Sequence, residues 1–135
     1  IYEKPGTRFV ADFIGETNLL QGEVLSVHGS MAVVQSEGLA CKILIEESLK
    51  QKELIWISIR PEKIRIGQEF EGENVFTGII KDEFYKGAIT RYEILVENRL
   101  PLIVETQNEA KNTGYRTGDR VRIGWRAENC SILKE

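Results

Sequence analysis

The 135-residue sequence predicts a mostly β, duplicated antiparallel domain preceded by one short helix. Three observations predict it. From Gly22 onward, short runs rich in Val, Ile, Tyr and Trp are broken by Gly, Asn and Asp, the texture of strands and turns. These runs follow one another at close spacing, as in a sandwich or barrel. Two stretches, residues 57–66 and 123–132, also share Ile, Arg, Glu and a final Ile at the same spacing, with apolar positions between them that agree in kind, the mark of an internal repeat.

The helix comes first. Pro5 suits the first helical turn, where its missing N–H costs nothing. Phe9, Val10, Phe13 and Ile14 then fall on one face, and Gly15 is a stop. Residues 5–15 are too short to be stable alone, so their apolar face must pack on something. Residues 1–20 therefore read as a helix and linker. The first residue is Ile1 rather than Met, which leads us to expect a fragment whose missing part lies upstream.

The strands expected next are Gly22–Val27, Met31–Gln35, Cys41–Ile45 and Leu54–Ile59. Glu46–Lys52 is a polar connector with room for one helical turn. Further strands are expected at Val75–Tyr85, Ile89–Val96, Leu102–Glu105 and Arg120–Trp125. Turn signals separate them at His28-Gly29-Ser30, Glu37-Gly38, Lys86-Gly87, Glu97-Asn98 and Thr117-Gly118-Asp119. In Arg120, Val121, Arg122, Ile123 the charges point out and the apolar residues in. Residues 67–74 lack an apolar pattern and form the best internal linker, dividing the region 21–135 into halves of about 21–66 and 75–135.

Overlaying Ile57–Ile66 on Ile123–Ile132 aligns Ile57 with Ile123, Arg60 with Arg126, Glu62 with Glu128 and Ile66 with Ile132. Each half also opens on a Gly-x-aliphatic step, Gly22-Glu23-Val24 and Gly78-Ile79-Ile80. A unit of half this length buries little surface alone, so the copies are expected to share a core, with strands exchanged between them. Arg60, Glu62, Arg126 and Glu128 recur at strand ends. They either cap the sheet edge or form an interface, and they are the candidate interface residues.

Composition limits the function. The net charge of −3 lacks the basic footprint usual for nucleic-acid binding. No apolar run reaches the roughly 18 residues of a membrane-spanning helix. Cys41 and Cys130 are far apart without CxxC spacing and read as reduced core thiols. His28 is the single histidine, which excludes histidine-based metal clusters and leaves a catalytic triad resting on one turn residue. Asp82, Glu83, Glu46 and Glu47 read as solvated acids rather than a glycosidase pair. Trp56 and Trp125 read as core filling. No GxxxxGK[ST] string occurs, so the amides that cradle nucleotide phosphates are absent. No catalytic, cofactor-binding or metal residue is assigned.

The opening Ile-Tyr-Glu-Lys-Pro and Arg8–Asn18 (Arg-Phe-Val-Ala-Asp-Phe-Ile-Gly-Glu-Thr-Asn) resemble the end of the nucleotide-binding domain of ABC-importer ATPases. Ile59-Arg60-Pro61-Glu62-Lys63-Ile64 resembles the Arg-Pro-Glu step of the accessory domain in the same subunits. Gly124–Cys130 is similar to the closing strand of the spermidine/putrescine-type members. The resemblance spans nearly the whole chain. It implies a transport-associated OB (TOBE) domain, a duplicated OB-like antiparallel β-barrel that is cytoplasmic and peripheral to the inner face of the membrane. The implied role is regulatory and dimer-stabilising. The implied partners are an upstream ATPase domain that uses ATP and Mg, a second copy of the subunit, and membrane permease subunits. Phe9, Phe13 and Asn18 would dock to the ATPase domain. No cofactor is implied for the chain itself.

Two other functions compete. Related barrels bind small oxyanions, and Thr77, Lys86 and Thr90 are candidates for such a site; a polyamine would be the other ligand of a sensing domain. OB-like barrels also bind single-stranded nucleic acid, and Tyr85, Lys86, Arg91, Tyr92 and Arg99 cluster in sequence. The acidic charge favours no nucleic-acid partner.

Overall fold

The computed structural model describes residues 17–46, 48–67, 70–107 and 114–133. The helix expected over 5–15, with Phe9 and Phe13, lies outside them. The described chain runs β1 (Asn18–His28), β2 (Met31–Ser36), β3 (Leu39–Leu44), β4 (Leu54–Ile59), a 3-10 turn (Pro61–Lys63) and β5 (Arg65–Ile66). It then runs β6 (Asn74–Lys86), β7 (Ile89–Val96), β8 (Leu100–Gln107), β9 (Arg120–Trp125), a second 3-10 turn (Ala127–Asn129) and β10 (Cys130–Leu133). Among the described residues the Glu46–Lys52 connector forms a turn and no helix.

The strands form two curled, five-stranded antiparallel sheets of OB-like type, in the orders β10-β4-β1-β2-β3 and β5-β9-β6-β7-β8. Replacing β1–β5 by β6–β10, and the reverse, converts one order into the other. The fold is thus a duplication in which each repeat contributes its last strand to the other sheet. Two compact units result, residues 61–125 and a unit made of β1–β4 with β10. The register bears out the sequence overlay. Ile57 pairs with Ile132 and Ser58 with Ser131, while Ile123 pairs with Ile66 and Gly124 with Arg65.

Each sheet is organised by one long strand. The first part of β1 pairs with β4 and the second with β2; β6 does the same with β9 and β7. A bulge between Val24 and Ser26 bends β1, and one between Ile80 and Asp82 bends β6. Glycine sits two residues before each shift. A Cβ on Gly22 would collide with Val34 Cγ1, and one on Gly78 would meet Ile94 Cγ2 at 2.5 Å. The strand thus needs glycine where its neighbour presses closest.

The alternation of β2, β3, β7 and β8 packs one face of each sheet. In the first unit Val24, Ala32, Val34, Ile43, Ile57 and Ile59 are sealed; in the second Ile80, Tyr92, Ile94, Val96, Ile123 and Trp125 are. A fully buried residue of this size contributes roughly 1.5–3 kcal/mol. The hairpins between β2 and β3 and between β7 and β8 turn through left-handed pairs, Glu37-Gly38 at φ 50° and 83° and Glu97-Asn98 at φ 52° and 59°. Such turns match the twist of the flanking strands.

The connectors into β4 and β9 also repeat. Lys50 N donates to Glu53 Oε1 at 3.0 Å, and Arg116 N donates to Asp119 Oδ2 at 2.9 Å. Lys52 N donates to Val24 O, and Gly118 N to Ile80 O, both at 2.7 Å. Each connector is thereby tied to the bend of its own long strand.

Candidate functional site

The repeated Arg-x-Glu steps sit where β4 and β9 each pass into a 3-10 turn. The middle residues, Pro61 and Ala127, are buried, while Arg60, Glu62, Arg126 and Glu128 are exposed. Burial of the small middle residue fixes the backbone, and the flanking charges are turned to solvent by the same geometry. Asn18 has a different placement. It is 7% exposed at the start of β1, and its Nδ2 donates to Ile59 O at 3.1 Å. Its counterpart by register is Asn74, which faces Trp125 and is 2% exposed. Thr17, just ahead, shares a 3.0 Å hydrogen bond with Ser58 across β4.

In the first unit, Glu128 borders an open groove of about 590 Å³ with Leu44, Glu46, Cys130, Ser131 and Ile132. Two carboxylates thus stand beside the exposed Leu44 and half-buried Ile132, a mixed acidic and apolar lining. In the sequence Glu46 reads as a solvated acid and Glu128 as a strand-end charge. Nothing local links them, since the fold alone brings the end of β3 near β10.

The oxyanion candidates do not converge. Thr77 and Lys86 lie roughly 30 Å apart along β6 at about 3.3 Å per residue. Thr90 is 1% exposed in the interior of its sheet. The aromatic and basic cluster separates as well. Period-two alternation sends Tyr92 into the core, where its hydroxyl accepts from Tyr115 N at 3.2 Å. Arg91, one residue before, points outward and donates from Nε and Nη2 to Glu105 Oε2 at 2.9 and 2.6 Å. Tyr85 is 68% exposed and donates to Glu83 Oε2, a bond that holds its phenol above the ordinary range. No continuous stacking face is formed by these residues.

The two tryptophans also part company. Trp125 is sealed and lies 5.4 Å from the Phe76 ring, as core filling requires. Trp56 does not fill the core. It is half-buried on the outward face of β4, between the sealed Ile55 and Ile57. Cys41 and Cys130 are buried and unbridged. Burial pushes the Cys41 thiol up to about 11, so it is protonated and unreactive near neutrality. Among the described residues no group of three or more His, Cys, Asp or Glu could hold a metal ion. No helix among them is long and apolar enough to cross a membrane.

A duplicated pair of OB-like sheets with a repeated Arg-x-Glu strand end defines the class: the TOBE domain profile matches residues 57–133, and the chain belongs to that family. Its relatives include import ATP-binding proteins. The chain is 35% identical to the spermidine/putrescine import ATP-binding protein PotA of Rubrobacter xylanophilus over 98% of its own length and 36% of that protein. It is 38% identical to the protein of the same name from Thermotoga maritima, over 99% and 39%. It thus spans somewhat over a third of the length of these relatives. The cytoplasmic molybdate-binding protein ModG shares the fold, with a TM-score of 0.67 at 17% identity over 85% of this chain and 94% of that one.

Proposed function

We propose that this chain is the non-catalytic accessory domain of the ATP-binding subunit of a polyamine-type ABC importer, where it stabilises pairing of two subunits and passes on regulatory input. The observation that carries this reading is the pattern of coverage. PotA relatives match nearly all of this chain but little more than a third of themselves. The chain also lacks the phosphate-cradling GxxxxGK[ST] string. In this reading ATP and Mg belong to an upstream domain, and the permease subunits and a second copy are partners. The assembly is cytoplasmic and peripheral to the inner face of the membrane. Phe9 and Phe13 meet the ATPase domain, and Arg60, Glu62, Arg126 and Glu128 are the interface charges.

The test is subunit association. In the parent subunit, Arg60→Glu with Arg126→Glu is expected to weaken ATP-dependent pairing while the stability of this domain is kept. Unchanged pairing in sedimentation velocity would remove these residues from the interface.

A second reading is favoured by the groove beside β10. Glu46 and Glu128 with Leu44 and Ile132 suit a linear polyamine, whose ammonium groups need carboxylates and whose methylenes need apolar contact. Spermidine should then raise the melting temperature of the chain, and Glu46→Gln with Glu128→Gln should abolish the rise. No rise in the unmodified chain would exclude this site.

A further inference from the structure

Duplication gives this protein an internal control. Features the fold needs recur at matched positions: Gly22 and Gly78, the two bulges, the two capped connectors. The outward face beside the long strand does not recur. In the first sheet it carries Leu54, Trp56, Ser58 and Ser131. In the second sheet the matched positions are Arg120, Arg122, Gly124 and Arg65. Arginine is therefore not required by the architecture at these places.

Pairing fixes where the arginines stand. Arg122 lies opposite Thr77, Arg120 opposite Ile79, and Arg65 opposite Gly124, and directly paired residues share a face. Three guanidinium-bearing residues thus line one face of β5-β9-β6 in a chain of net charge −3. The face is hollowed. Two cavities of about 350 and 320 Å³ are both bordered by Thr77, Glu97 and Arg120, and the larger also by Arg122. Glu97 is the one acid bordering them among the described residues. Its carboxylate accepts from Thr77 N at 3.0 Å, and its own N donates to Thr77 O at 2.9 Å. One oxygen of that carboxylate is thereby held at the backbone of β6.

We propose that this face binds a phosphate-bearing small molecule, with Arg120 and Arg122 as its clamp and the Thr77 hydroxyl as a further donor. Guanidinium forks match phosphate oxygens two at a time. Arg120 and Arg122 are roughly 7 Å apart along β9, so they grip one phosphate from two sides or span a diphosphate. The cavity size is at the lower end for small-molecule sites. Arg120 is exposed, so binding is weak and falls with salt. The site stands on the second unit alone and does not depend on the transporter reading.

The experiment titrates the 135-residue chain with inorganic pyrophosphate and, separately, with ADP, following backbone amides by NMR. Sodium chloride at matched ionic strength is the blank. Saturable shifts are expected at Thr77, Arg120 and Arg122 and none at Leu54 or Trp56. Arg120→Gln with Arg122→Gln should weaken binding at least tenfold at an unchanged melting temperature. The single variants, measured separately, keep the test decisive should the double one unfold. Tighter binding of ADP would identify a nucleotide source, and tighter binding of pyrophosphate an inorganic one; both support the site. Equal shifts with sodium chloride, or undiminished binding by the variants, would overturn it.

Discussion

The two sheets share a strand order, a register, a bend and a connector, yet they differ on their outward faces. In the first, β4 presents Leu54, 60% exposed, and Trp56; in the second, β9 presents Arg120 and Arg122. The inward faces are interchangeable in kind, with Ile57 and Ile59 set against Ile123 and Trp125. Packing has preserved the interior, because a buried position tolerates only residues of the right volume and polarity. The exposed positions carry no such constraint. Their divergence into one apolar and one basic face is what a pair of sheets with two different contacts would show.

The sharpest way to break this comparison is to treat the two tryptophans alike. Trp125→Ala should cost about 3–5 kcal/mol of unfolding free energy, the range for deleting a sealed aromatic. Trp56→Ala, on the outward face, should cost less than half as much. Chemical denaturation of both variants decides it, and equal losses would mean that the faces are wrongly distinguished.

The next effect is a dependence on pH. Cys41 has its folded-state value raised to about 11 from 9.0 by burial. Its protonated form is favoured by folding, so its contribution is fully present below pH 9 and is lost as pH rises towards 11. The slope is about 1.4 kcal/mol per pH unit across that window. Cys41→Ala should flatten this part of the stability curve relative to the native chain. Identical slopes would show that the thiol is not sealed.

Smaller is the effect of the paired asparagines. Asn18→Ala removes a buried side-chain hydrogen bond to Ile59 O, costing about 0.5–1.5 kcal/mol. Asn74→Ala in the other repeat should cost a similar amount, since register places both at the mouth of the same strand pair. A loss at one position only would show that the repeats differ inside as well as outside.

The smallest effect concerns Lys52. It adopts φ 73°, where the second repeat has Gly118 at φ 94°. Lys52→Gly should raise stability by a few tenths to about 1 kcal/mol, relief of left-handed strain being partly offset by the freer unfolded chain. A loss of stability would mean that the lysine side chain has a role the turn does not require.

Much of this was legible before the structure. Three strands, Leu54–Ile59, Ile89–Val96 and Arg120–Trp125, begin and end where apolar alternation places them. The duplication was visible because its two copies kept Ile, Arg and Glu at matched strand-end positions. The exchanged strands β5 and β10 were hidden. They are two and four residues long, and Arg65 and Ser131 within them carry no strand signal. The connector Glu46–Lys52 was legible, but the turn that ends it was not, because Lys52 occupies the left-handed position that Gly118 advertises openly. Of the sites, the strand-end charges could be read as a repeat. The Glu46 and Glu128 groove could not, since its members come from opposite ends of a sheet whose closing strand belongs to the other repeat. Tyr92 was misplaced among surface aromatics because adjacency in sequence says nothing of face until the strand is paired.

The reading as an accessory domain meets its most direct test in the parent subunit with and without this chain, assayed for ATP hydrolysis and for ATP-dependent pairing. Removing residues 21–135 is expected to leave hydrolysis measurable and to weaken pairing, while the isolated chain hydrolyses no ATP. Hydrolysis by the isolated chain, or pairing and hydrolysis both unchanged by its removal, would contradict that reading.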